Sequence, residues 1–186
     1  NGLVAAIEIN AQAFNNLEKY NRTLSGRTGC GLCGVDKLEQ AVRPLEKIAS
    51  KFKVKAQQVH KSMQSIKSHQ HLNKETGALH AAAFVNDKGQ FIAVREDVGR
   101  HNALDKLIGH LMRKKIDPTK GYTLITSRCS FEMVQKCAIA GIPVITAVSA
   151  TTGLAIDLAN QAGISIIAFA RKGSMNIVTD TENRII

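Results

Sequence analysis

The last third of the chain leaves few folds open. Residues 142–148 and 164–170 are near-continuous apolar runs, and residues 154–161 between them carry helical spacing closed by Gly163. Strands that are apolar on both faces need cover on both faces, and two such strands joined through a helix run parallel. An α/β layer with parallel strand pairs is therefore predicted. Residues 122–126 read as a further strand. A helix over 131–140 follows, with Ser130 placed to cap it and Gly141 to close it.

Other elements join this layer. Residues 79–85 and 91–95 flank Asn86-Asp87-Lys88-Gly89 and predict a β-hairpin. Asp97-Val98-Gly99 leads into a helix over 100–112, with Ala103, Leu104, Leu107, Ile108 and Leu111 on its apolar face. Helical spacing through Val59, Met63 and Ile66 predicts one helix over 55–72. Residues 175–179 suit a final edge strand.

The N-terminal part reads differently. Residues 3–9 suit a strand and 11–24 a helix, with Phe14, Leu17 and Leu24 on one side. Residues 35–54, broken by Pro44, form a connector. The expected division is a small N-terminal part over 1–50 and a main domain over 51–186. Asn1-Gly2-Leu3-Val4 lacks an initiator Met and a basic signal-peptide start, so a preceding segment is expected to be missing.

Charge and composition narrow the partners. The formal charge is +10, which favours an anionic partner. Aromatic residues are 4% with no Trp, which argues against a single-strand stacking platform for nucleic acid. No apolar run reaches the length of a membrane span. The four cysteines do not look like a secreted disulfide framework, so reduced, reactive thiols in the cytoplasm are expected.

Two of those cysteines lie in Gly26-Arg27-Thr28-Gly29-Cys30-Gly31-Leu32-Cys33-Gly34. Four glycines in these nine residues make it a loop. Three chemistries suit the Cys30–Cys33 pair. A zinc knuckle would need two more ligands, and Cys129 and Cys137 form no second knuckle. A thioredoxin-like redox pair wants a helix N-terminus, which flanking glycines disfavour. Sulfur transfer wants a nucleophile on a mobile arm with positive charge nearby, which the glycines and Arg27 offer. Spacing alone leaves sulfur transfer and redox open. Two rival functions follow: a nucleotide- or nucleic-acid-binding module with a zinc knuckle, and a cofactor chaperone without sulfur chemistry.

The cysteine loop resembles the signature of the formate dehydrogenase accessory sulfurtransferase family, FdhD. Further segments agree in order: Thr76-Gly77-Ala78-Leu79-His80, Glu96-Asp97-Val98-Gly99-Arg100-His101-Asn102, Ser127-Arg128-Cys129-Ser130-Phe131-Glu132, and Ala147-Val148-Ser149-Ala150. Thr151-Thr152 stands where the family commonly has a Pro. The resemblance implies a cytidine-deaminase-like α/β/α layered sheet and a homodimer. It also implies a cytoplasmic sulfurtransferase. That protein takes sulfur from a cysteine desulfurase and passes it to the bis-guanine-dinucleotide molybdenum cofactor, which guanine nucleotides mimic, before insertion into formate dehydrogenase. Carried over by position, Cys30 is the persulfide cysteine and Cys33 its partner. The cofactor-binding segment falls on Phe169, Ala170, Arg171, Lys172, Gly173 and Ser174.

The residues themselves agree with that placement. The segment follows a buried strand, and ligands of open α/β sheets gather beyond strand carboxyl ends. Arg171 and Lys172 offer charge to a diphosphate, and Gly173 permits close backbone approach. Arg100 and His101 near a helix start, and Ser127 after a strand, are further candidates for phosphate or guanine. Asp97 is expected to fix its turn. His80 is followed by Ala81-Ala82 rather than a catalytic Glu, so neither a deaminase zinc site nor hydrolytic deamination is expected. Cys129 and Cys137 read as core thiols, and the lysines of 43–74 as a solvated face.

Overall fold

A computed structural model of the chain separates into two compact units, Asn1–Arg43 and Pro44–Ile186. It describes Ala6, residues 8–12, Phe14, 45–171 and 173–186. Of the expected N-terminal strand only Ala6, Glu8 and Ile9 are described, none of them in a strand, and the cysteine loop lies outside the described residues. The second unit begins at Pro44. Its first residues are tied in by long-range contacts: Ile48 donates its N–H to the Ala162 carbonyl at 2.9 Å, and Val54 bridges to Ile185.

The second unit is built on one six-stranded mixed sheet of order β2-β1-β3-β4-β5-β6. The strands are β1 (His80–Asn86), β2 (Phe91–Asp97), β3 (Gly121–Ile125), β4 (Val144–Ala147), β5 (Ser165–Arg171) and β6 (Ser174–Thr179). Strands β3, β4 and β5 are parallel, while the β1–β2 and β5–β6 pairs and the β1–β3 contact are antiparallel. The helices are α1 (Ala56–Ser65), α2 (His71–Thr76), α3 (Arg100–Arg113), α4 (Phe131–Ala140) and α5 (Gly153–Ala162). No described helix is long and apolar enough to cross a membrane.

The alternation of each strand sends its residues into two cores. On one face, Val59, Met63 and Ile66 of the α1 region pack with Ala81, Ala83, Val85, Tyr122, Leu124, Val144 and Ile167. On the other, Ala82, Phe84, Ile125, Ile145, Ile166 and Ala168 are buried. There α3 packs on β1 and β2, α5 on β5 and β6, and α4 lies between the two helices. Two right-handed crossovers stepping the same way along a sheet place their helices on one side, as α4 and α5 are. Gly141 and Gly163 close their helices in the left-handed conformation, at φ 79° and 65°. Ser130 begins α4 but its hydroxyl donates to Glu132 instead of accepting from the backbone.

The helix expected over 55–72 is broken. After α1 the chain makes a 3₁₀ turn, Ile66–His69, leaves helical geometry at Gln70 (φ −92°, ψ 80°) and restarts as α2. Nothing at Gln70 is a helix breaker. The restart is stabilised from β2, where the Glu96 carboxylate accepts the N–H groups of Leu72 and Asn73 at 3.0 and 2.8 Å. A carboxylate on two free N–H groups at a helix start is a favourable cap.

Candidate functional site

The carboxyl ends of β3, β4 and β5 are bound together by backbone contacts. Val148 donates to the Ile125 carbonyl at 3.1 Å and Phe169 to the Ser149 carbonyl at 3.2 Å. Cys129 and Ala150 are joined at 3.0 Å. Thr126 pairs twice with Ala81, through its N–H and through its side-chain oxygen, which accepts at 2.8 Å. The antiparallel β1 thus begins where β3 ends, and all these termini share one edge.

A cleft of about 550 Å³ opens at this edge on the α1 side of the sheet. Its floor is Thr126, Val148, Ala170 and Arg171, from the ends of β3, β4 and β5. Its other wall is Met63, Gln64, Ile66, Lys67 and Gln70, from α1 and the break after it. The lining is largely apolar, with two cations at the rim. Arg171 spends its Nε–H on the Val148 carbonyl at 3.1 Å, which anchors the guanidinium and leaves its terminal N–H groups without a partner among the described residues. Lys67 is exposed and has no ion-pair partner among them. Gln70 is only 3% exposed, and its side-chain amide has no hydrogen-bond partner among the described residues.

The expected cofactor segment divides. Ala170 and Arg171 line the cleft. Phe169 is 42% exposed and holds a left-handed backbone, φ 52°, within an irregularity of the β5–β6 pairing. That geometry is costly for a residue with a Cβ, and the bond from its N–H to Ser149 holds it. Gly173 turns the chain at φ 92°, and Ser174 opens β6 opposite Arg171. Lys172 lies outside the described residues, as do Cys30 and Cys33.

Arg100, His101 and Ser127 do not line the cleft. Arg100 and His101 begin α3, after Gly99, and the helix has no acidic residue in its first turn. The Arg100 Nε–H is buried without a partner among the described residues. His101 faces α4, its Nε2 3.5 Å from a Glu132 carboxylate oxygen. Burial lowers its pKa, and Glu132 only partly opposes this. Ser127 is buried and its hydroxyl donates to the Arg128 carbonyl at 3.0 Å.

Asp97 fixes the turn before α3. Its Oδ1 accepts from Gly99 N–H at 2.9 Å and from Asn102, and Lys106 sits 2.5 Å from its Oδ2. The Lys106 hydrogen bond, then that of Gly99, holds its carboxyl at about 2 rather than 3.8. Its stabilising effect is thus complete above pH 3.8 and fades as pH falls through about 2. An NMR titration of Asp97 should show that low midpoint. An ordinary midpoint would mean Lys106 is not engaged.

The described cysteines are closed to chemistry. Cys129 and Cys137 have no exposed surface. Burial pushes the Cys129 thiol up to about 12 and Cys137 well above its ordinary value. A thiol that cannot ionise is neither nucleophile nor metal ligand.

The cleft's helical wall was missed from sequence, although one cue was present. Gln70 continues the apolar spacing of Val59, Met63 and Ile66, so a polar residue occupies a core position of that stripe.

Residues 2–186 match the FdhD/NarQ family. The chain is 47% identical over 176 residues to a protein of Bordetella bronchiseptica named sulfur carrier protein FdhD, covering 95% of this chain and 64% of that one. Against the protein of the same name from Bordetella petrii the identity is 45%, covering 98% and 66%. From Shewanella oneidensis it is 44%, covering 96% and 64%. The chain thus spans just under two thirds of the length of these relatives. Among solved structures, the crystal structure of a candidate formate dehydrogenase accessory protein from Desulfotalea psychrophila matches with a TM-score of 0.70 at 25% identity, covering 77% of this chain and 61% of that one.

Proposed function

This chain belongs to the FdhD/NarQ family, and from that membership we propose that it is a sulfur carrier acting in formate dehydrogenase maturation. One structural observation carries the assignment of the chemistry. Of four cysteines, two are buried with their thiols pushed far up, which leaves Cys30 and Cys33 for sulfur.

The steps balance as follows. The Cys30 thiolate attacks the terminal sulfur of a persulfide on a cysteine desulfurase. A new S–S bond forms on Cys30, and the donor's S–S bond breaks to release the donor cysteine as thiolate. Cys33 then attacks the Cys30 sulfur and expels hydrosulfide to the acceptor. The resulting Cys30–Cys33 disulfide is reset by two electrons from a thiol reductant. No carboxylate or histidine is needed at the sulfur, because a thiolate is already the nucleophile.

The acceptor in this reading is the bis-guanine-dinucleotide molybdenum cofactor, bound as substrate. The cleft suits a nucleotide end of it: apolar walls for a flat base, and Lys67 and Arg171 at the rim for phosphates. The protein acts as a homodimer in the cytoplasm.

The test is intact-mass spectrometry after incubation with a cysteine desulfurase and cysteine. One added sulfur that a thiol reductant removes, mapped to the peptide bearing Cys30 and Cys33, is the expected result. A chain that gains no sulfur would overturn the carrier reading.

A further inference from the structure

The break after α1 puts an amide where the sequence pattern has an apolar residue. Gln70 is 3% exposed and lines the cleft, yet its side-chain amide has no hydrogen-bond partner among the described residues. A primary amide brings two N–H donors and a carbonyl acceptor, and those of Gln70 are open to the cleft rather than sealed in the core.

The position of Gln70 is held firmly. Its N–H donates to the Lys67 carbonyl at 3.3 Å, and its own carbonyl accepts from Lys74 at 3.2 Å. Glu96 fixes the start of α2 immediately after it. The amide therefore sits on a clamped stretch of backbone between two helical segments. Around it the cleft offers the apolar surfaces of Met63, Ile66, Val148 and Ala170. Lys67 lies three residues before it, and Arg171 stands at the end of β5.

We infer that Gln70 is a specificity-determining residue that reads the edge of a nucleobase in this cleft, while Lys67 and Arg171 hold the attached phosphates. An adjacent donor and acceptor on an amide match an adjacent acceptor and donor on a purine edge, which neither an apolar ring nor a sugar offers in one plane. This inference rests on the reading of the cleft as a nucleotide site, and it adds the residue that chooses the base.

The test measures binding of GDP and of inorganic pyrophosphate to the full chain by calorimetry, in wild type, Gln70→Met and Arg171→Ala. Methionine keeps the length and apolar contacts of the side chain and removes the amide. GDP affinity should fall about 10- to 100-fold in Gln70→Met, with pyrophosphate binding unchanged, and both should weaken in Arg171→Ala. If Gln70→Met binds GDP as wild type does, the inference about Gln70 is wrong while the cleft reading stands. If wild type binds neither probe, or Arg171→Ala binds both unchanged, the cleft reading itself is wrong. A second measurement needs no variant: the side-chain amide resonances of Gln70 should shift on saturation with GDP. Unmoved resonances would count against the inference even if the substitution failed to fold.

Discussion

Formate dehydrogenase activation in cells should fall by at least about a hundredfold when Cys30 is replaced by alanine, with the protein still folded. Loss of the nucleophile removes the first bond-forming step, and neither buried cysteine can replace it. With its pKa near 12, Cys129 would be ionised in roughly one molecule in 10⁵ at neutral pH, and it has no exposed surface from which to reach a donor. Replacing Cys33 should act differently. The chain would still load sulfur but release it slowly, so the loaded form would accumulate. Full activation by Cys30→Ala would show that the chain only carries its substrate, and would end the sulfur-transfer mechanism.

The second large effect is on stability. Arg184 is 2% exposed and its guanidinium is spent on backbone carbonyls. Nε and one terminal nitrogen reach Gly163 O at 3.3 Å, that nitrogen also reaches Ile48 O at 3.3 Å, and the other terminal nitrogen bonds Ser50 O. Its N–H donates to Asp180, which also accepts from Ser165 and Ile185. Alanine would take this donor from the Gly163 and Ser50 carbonyls, leave the Ile48 carbonyl with only the Ser50 N–H, and open a cavity. Arg184→Ala should cost about 3–5 kcal/mol and lower Tm by about 10 °C. Lysine should recover less than half, since one ammonium cannot span three carbonyls. A loss under about 1 kcal/mol in chemical denaturation would mean that water replaces the guanidinium.

Much of this fold was legible in the chain. The apolar runs at 142–148 and 164–170 became the parallel strands β4 and β5, and the spacing of Ala103, Leu104, Leu107 and Leu111 became the buried face of α3. Asn86 to Gly89 made the hairpin turn, with the Asn86 side chain accepting from Lys88 and Gln90. What escaped depends on partners far along the chain. The break at Gln70 is stabilised by Glu96, and the segment around Ile48 is bound by Arg184, neither of which local periodicity can register. The same holds for the site. The family resemblance, with the strand ends in agreement, pointed to Ala170 and Arg171, but the opposite wall comes from a helix whose basic residues read as solvated surface. His101, a candidate for phosphate or guanine by its place near a helix start, lies 3.5 Å from a Glu132 carboxylate oxygen of α4, a neighbour that local sequence does not reveal.

The Arg184 contacts also bear on the order in which the chain assembles. They join residues 134 and 136 apart in sequence, and the Val54–Ile185 bridge spans a comparable distance. Closing loops of that size costs entropy before any contact repays it. The β1–β2 hairpin and the β4–α5–β5 crossover need only short closures and can form first. The Arg184 closure then belongs to the late, downhill side of folding, where it governs how fast the native state opens rather than how fast it is reached.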